Sequence, residues 1–152
     1  MSPLYHRGRS GDTIKIMHET FEHTADLGLR IRTADLESLF EEAAQALFCA
    51  IVEDLGTIQA REKFVITKEN DDREYLLFDW LNELLYRFDS DHWLFGRFEI
   101  QLQNGRLNGT AWGERLDRNR HGLSHEVKAI TYHGLKVEQT EDGWLAEVIV
   151  DI

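Results

Sequence analysis

Between Phe98 and Ala111 the chain has to double back on itself. Phe98, Ile100 and Leu102 alternate with Glu99, Gln101 and Gln103, and Asn104-Gly105 follows at once. Apolar residues at every second position make a strand with one buried face. Asn-Gly suits a type I′ turn, in which both central residues take positive φ. Closing on that turn pairs Gln103 with Arg106 and Leu102 with Leu107, which keeps the apolar face aligned through Ala111. The hairpin is specified down to its register.

The rest of the chain divides around it. Ile14–Phe21 reads as a first strand, followed by the turn Glu22-His23-Thr24-Ala25-Asp26. Leu27, Leu29 and Ile31 alternate with Gly28, Arg30 and Arg32, a second half-buried strand. Asp35 is placed as an N-cap, with Glu37 in the first turn favourable to the helix dipole. Leu36, Leu39, Phe40, Ala43, Leu47 and Ile51 then recur at helical spacing, and Gly56 is placed as the C-cap. Lys63–Lys68 is a short strand. Asp71 and Asp72 cap a second helix running through Phe88.

The apolar stripe of that second helix, Leu76, Leu77, Trp80, Leu81, Leu84, Leu85 and Phe88, is wide, which predicts the central helix of the fold. Val127–Glu138 and Trp144–Ile152 are further strands, joined by Thr140-Glu141-Asp142-Gly143. Helices and strands do not alternate as in βαβ units. The expected class is α+β: a largely antiparallel or mixed sheet of about seven strands, with two main helices packed together against it. Residues 1–13, polar and without periodicity, are expected to be a disordered N-terminal extension, and 14–152 a single domain.

At 152 residues, 42% of them hydrophobic, the chain can bury a real core. Its formal net charge of -11 argues against bulk electrostatic binding of nucleic acid or anionic membrane, which needs a basic field. The N-terminus lacks the apolar core of a signal peptide, and no apolar run approaches the roughly 20 residues of a membrane span. A single cysteine, Cys49, permits no intrachain disulfide. A soluble cytoplasmic protein is expected.

Several catalytic signatures are missing: no Gly-x-Ser-x-Gly elbow, P-loop, Gly-x-Gly-x-x-Gly, His-Glu-x-x-His or Cys-x-x-Cys occurs. Cys49, beside Phe48, reads as a small core residue rather than a nucleophile. Asp79 and Glu83 lie on one helix face and read as its solvent side before an acid/base pair. His121, His125 and His133 fit no helical metal spacing. His133 shares a strand face with Val127, Ala129 and Leu135, which predicts a core or sheet histidine. Lys128, in line with Ile130 and Tyr132, is either an edge device or a functional cation. Arg115, Arg118, Arg120, His121 and His125 make the one basic stretch, read first as a mobile solvated loop and second as a docking loop for a phosphate-bearing or acidic partner.

The last strand carries the sharper possibility. Ala146, Val148, Val150 and Ile152 form its apolar face, so packing should hold the Ile152 side chain and fix its carboxylate close to Asp151. His23, Thr24 and Asp26 are crowded into a strand connection. One reading is a turn in which Thr24 or Asp26 bonds local backbone. The other joins Asp26, Asp151 and the Ile152 carboxylate as oxygen ligands, suited to calcium or magnesium rather than zinc. Spacing alone does not say whether Asp26 lies near Asp151.

From Phe21 to Ile152 the chain resembles the archease family. The matching stretches are Phe21-Glu-His-Thr-Ala-Asp-Leu-Gly28, Leu39-Phe-Glu-Glu-Ala-Ala44, Asp79-Trp-Leu-Asn-Glu-Leu-Leu-Tyr86, Val127-Lys-Ala-Ile-Thr-Tyr-His133 and Val148-Ile-Val-Asp-Ile152, in that order. The resemblance implies a non-catalytic activator of an RtcB-type RNA ligase, which joins RNA halves ending in a 2′,3′-cyclic phosphate (or 3′-phosphate) and a 5′-hydroxyl. It implies promotion of ligase guanylylation and of multiple turnover in tRNA splicing and RNA repair, with tRNA met only through the ligase. It also implies a metal site, calcium or another hard divalent cation, on Asp26, Asp151 and Ile152, with His23 and Lys128 as further functional positions. Two other functions fit the residues: a metal-dependent phosphoester hydrolase, with His23 the nearby base, and a chaperone or modulator of another RNA-modifying enzyme.

Overall fold

The computed structural model describes residues 4–6, 16–23 and 26–152. The strands are β1 (Leu4–His6), β2 (Ile16–His23), β3 (Asp26–Thr33), β4 (Glu62–Glu69), β5 (Trp93–Gln103), β6 (Arg106–Arg115), β7 (Ala129–Thr140) and β8 (Gly143–Asp151). The helices are α1 (Leu36–Ile51) and α2 (Arg73–Asp91). The α+β class and the antiparallel pairing agree with the sequence, but the strands divide between two sheets. The larger has the order β1-β2-β3-β8-β7 and the smaller β4-β6-β5. Of the expected N-terminal extension, Leu4–His6 pairs with Ile16–His18 of β2, and the rest lies outside the described residues.

The hairpin forms as its turn chemistry requires. Asn104 and Gly105 take φ of 51° and 74°. Gln103 faces Arg106, Leu102 faces Leu107 and Phe98 faces Ala111. Phe98, Ile100, Leu107 and Ala111 are buried, so one face of the small sheet meets the core.

Both helices pack between the two sheets, α2 on β7 and on β4, β5 and β6, but α1 is the more deeply buried. Besides the expected stripe, Glu42, Ala44, Ala46, Phe48 and Ala50 are buried too, whereas α2 buries six residues along one side. A helix buried nearly all round belongs in the interior, and α1's small alanines let strands approach from both sides. It packs on β3, β2 and β8 of one sheet and on β5 of the other. Phe48 sets its ring edge-on to Phe95, at 5.7 Å. Trp80 of α2 donates Nε1–H to the Phe40 carbonyl at 3.0 Å, fixing one helix to the other.

Both predicted N-caps are in place. Asp35 accepts from Ser38 N, and Asp72 from Glu74 N and Tyr75 N. The C-terminus of α1 differs from expectation. The helix ends at Ile51, and Val52, buried and extended, bridges to Leu123. Gly56 instead lies in a separate 3-10 turn, Leu55–Thr57, capped by Asp54. No helix among the described residues is long and apolar enough to cross a membrane.

A buried ion pair ties β2 to α1. His18 is 3% exposed, and its Nδ1 lies 2.5 Å from Glu42 Oε2. Burial opposes the imidazolium, but hydrogen bonds with Cys49 and Glu42 outweigh it and push His18 up to about 9. A raised folded-state pKa contributes stability that is complete below the unfolded value of 6.5 and is lost as pH rises through 9. Urea unfolding of the wild type should therefore lose stability between pH 6.5 and 9, by about 3 kcal/mol at most. Glu42→Gln should be less stable at pH 6 and flatter across that window. An equal slope in the two proteins would contradict the ion pair.

Candidate functional site

Strand register, a tertiary matter, brings the expected site residues to one end of the larger sheet. Leu27, Leu29 and Ile31 of β3 face Val150, Val148 and Ala146 of β8, and all six are buried. The alternate positions share the opposite face, and there Asp26 stands directly across from Asp151. Directly opposed residues in an antiparallel pair carry their Cβ atoms about 5 Å apart on the same face. The row continues in both directions. His23 is the register partner of Asp26 on β2, and Ala129 that of Asp151 on β7. Lys128, next to Ala129, donates its amide to the Asp151 carbonyl at 2.7 Å, and its side chain is exposed. Ile152 is partly buried against the core, as the alternation of β8 requires. Thr24 lies outside the described residues.

Two carboxylates set opposite one another repel, and like charges in that position destabilise a sheet. A hard cation between them would reverse the sign of that contribution. Among the described residues, no group of three or more His, Cys, Asp or Glu side chains could hold a metal ion. At this end of the face the expected oxygen donors Asp26 and Asp151 are register partners, and Ile152 follows Asp151 directly. Those oxygens suit calcium, but calcium takes six to eight. A cation held here would leave coordination positions for water or for groups brought by a partner.

The strand around Asp26 is tied to both of its neighbours. Gly28 of β3 lies under the ring of Phe21 on β2, so close that an added Cβ would come 2.2 Å from the ring. Arg30 places its guanidinium 4.6 Å from the centre of the same ring. It also donates to Glu147 Oε2 at 2.7 Å and Glu19 Oε1 at 3.1 Å, linking β2, β3 and β8. Gly28→Val must evict Phe21, and overpacking of this kind costs about 1–3 kcal/mol. Thermal unfolding should show that loss, and an unchanged midpoint would mean that the ring does not rest on Gly28.

The basic stretch is exposed at Arg115, Arg118, Arg120 and His125 but is anchored at its middle. Glu114, 5% exposed near the end of β6, receives both terminal guanidinium nitrogens of Arg120 at 2.7 Å, His121 Nε2 at 2.9 Å and the Gln59 amide at 2.8 Å. His121 Nδ1 accepts the Asp117 amide hydrogen, which leaves Nε2 to donate. The hydrogen bonds from Arg120, acting against burial, hold the Glu114 carboxyl down at about 2. Arg118 and His125 remain exposed and line a cavity of about 540 Å³ that Lys128, His92 and Phe88 also wall.

Other expectations resolve simply. His133 is exposed, contrary to the core reading, because β7 shifts register between Thr131 and Lys136 and Gly134 takes φ 74°. Thr131 Oγ1 donates to the Ile149 carbonyl inside that irregularity. Glu83 engages Lys68 Nζ at 3.0 Å and Arg87 Nε at 3.1 Å, so it belongs to a surface ion-pair network. Cys49 is partly buried and is among the groups that raise His18, a relation the sequence reading missed.

The archease protein family model matches residues 18–152. The chain is similar to protein archease of Pyrococcus furiosus, 42% identical over 139 residues, which are 88% of this chain and 97% of that one. It is similar to protein archease of Methanopyrus kandleri at 40% over 138 residues, 88% of this chain and 98% of the relative. The solution structure of Methanobacterium thermoautotrophicum protein 1598 superposes with a TM-score of 0.79 at 35% identity, covering 89% of this chain and 98% of that chain.

Proposed function

Because the chain belongs to the archease family, we propose that it is a non-catalytic, metal-binding activator of an RtcB-type RNA ligase, promoting ligase guanylylation and multiple turnover in tRNA splicing and RNA repair. The observation that carries the site is the register that sets Asp26 opposite Asp151 at the end of β3 and β8. Asp26, Asp151 and main-chain oxygen at Ile152 would hold calcium or another hard divalent cation, which would supply Lewis acidity and a binding position for oxygen. The chain's own residues would hold it at the tip of the sheet, with positions open toward the partner. Lys128, whose amide bonds the Asp151 carbonyl, and His23, the register partner of Asp26, are the further functional positions of this reading. The acidic charge of -11 keeps the protein from competing for RNA, which it meets only through the ligase.

The test is an RNA-joining time course with the substrate halves in excess over ligase. Adding this protein should convert a single round into continued turnover, and the protein alone should join or cleave nothing. A course unchanged by the protein would remove the ligase reading. Phosphoester cleavage by the protein alone would replace it with a hydrolase.

A further inference from the structure

The face that α2 and β7 share is built unlike a solvated surface. Tyr75 of α2 stacks on Tyr132 of β7, ring centres 4.4 Å apart and planes within 17°. Phe78 sets its ring edge against Tyr132 at 6.0 Å. Both tyrosines stay open, 45% and 40% exposed, and Tyr86, 63% exposed, lies three turns along the same side of α2. Scattered apolar residues are ordinary on a surface, but two exposed rings stacked on one another with a third set edge-on are a patch.

The α2 side of the patch is acidic. Asp71, Asp72, Glu74 and Asp79 surround Tyr75 in the sequence of α2 and its cap. Burial, then Asp72, Tyr75 and Glu74, raise the Tyr132 phenol above its usual value, so the two carboxylates act at the stacked pair itself. The base in that run, Arg73, is turned onto the Trp144 ring, 4.8 Å from its centre. Nucleic acid and anionic lipid are repelled by such a side. A guanidinium is matched by it twice: its flat face lies on an aromatic ring and its edge forks to carboxylate, which an ammonium does less well.

We propose that the Tyr75–Tyr132 face is a docking surface for an arginine-bearing segment of a protein partner. This rests on the reading of the chain as an activator that docks on a protein, and it gives the partner a second foothold on β7, three residues on from Ala129, the register partner of Asp151.

The probe is a fluorescently labelled peptide of alternating arginine and glycine, followed by anisotropy at low salt, beside its lysine counterpart and a labelled single-stranded RNA. The arginine peptide should bind more tightly than the lysine peptide, and the RNA should not bind. Tyr75→Ala with Tyr132→Ala should weaken arginine-peptide binding by roughly fivefold or more, Glu74→Gln should weaken it less, and Tyr75→Phe should retain it. Binding of the two peptides alike, binding indifferent to the alanine pair, or RNA on this face would each overturn the proposal. In the ligation assay the alanine pair should raise the protein concentration needed for half-maximal stimulation and leave the maximal rate unchanged. The peptide arm decides the surface even if no ligation is stimulated, so its failure is separable from failure of the ligase reading.

Discussion

Asp26→Asn and Asp151→Asn should each abolish calcium binding without unfolding the protein. The two carboxylates face one another across β3 and β8, and each supplies charge that an amide does not. Loss of an outer-shell partner costs up to about a hundredfold in metal affinity; loss of a direct anionic ligand should cost at least that. Stability should move the other way. Removing one of two opposed like charges relieves a repulsion of roughly 0.2–1 kcal/mol, so Asp151→Asn without calcium should unfold at or slightly above the wild-type temperature. Calcium at about a hundred times its dissociation constant should stabilise the wild type by about 2.7 kcal/mol and the variants not at all. Calorimetric titration with thermal unfolding reads both effects. A variant that binds calcium as the wild type does would show that the pair is not the ligand set.

The second large effect concerns stability. Glu114→Ala leaves Arg120, Arg61, His121 and the Gln59 amide without the carboxylate that gathers them. The two guanidinium groups are partly exposed and can hydrate, so the cost is that of the lost hydrogen bonds, about 1–3 kcal/mol. In a chain of this size that corresponds to a fall of roughly 5 °C or more in the unfolding temperature. The pH dependence follows from the same carboxylate. Its pKa is depressed from 4.5 to about 2, so its contribution is complete above 4.5 and is lost as pH falls through 2. The wild type should lose stability steadily below pH 4.5, and Glu114→Ala should lose less over that range. A shift of only a degree or two would mean that the loop is not held by Glu114.

What could be read from the sequence was what local chemistry decides. Asn104-Gly105 permits one turn and one register, and Asp35 and Asp72 cap helices through bonds within a few residues. The position of α1 was hidden because Ala44, Ala46 and Ala50 look neutral beside the leucine stripe of α2, while their small size is what lets α1 sit between two sheets. The division into two sheets is a matter of tertiary packing that periodicity does not report.

At the candidate site, the face of Asp151 followed from alternation, but its pairing with Asp26 came only from the order β3-β8. Glu114 gave no signal, since a glutamate between Gly113 and Arg115 reads as an exposed strand charge. The strand face of His133 misled because the shift after Thr131 breaks the alternation on which that reading rested. His18 was overlooked for a related reason: it lies on the face of β2 that meets Glu42 and Cys49, which are distant in sequence.

The most direct measurement is the rate at which the ligase becomes guanylylated, with calcium present, alone and with saturating wild-type or Asp26→Asn protein. The expected result is acceleration by the wild type and none by Asp26→Asn. Equal acceleration by the two proteins, or none by either, would contradict an activator working through its paired aspartates.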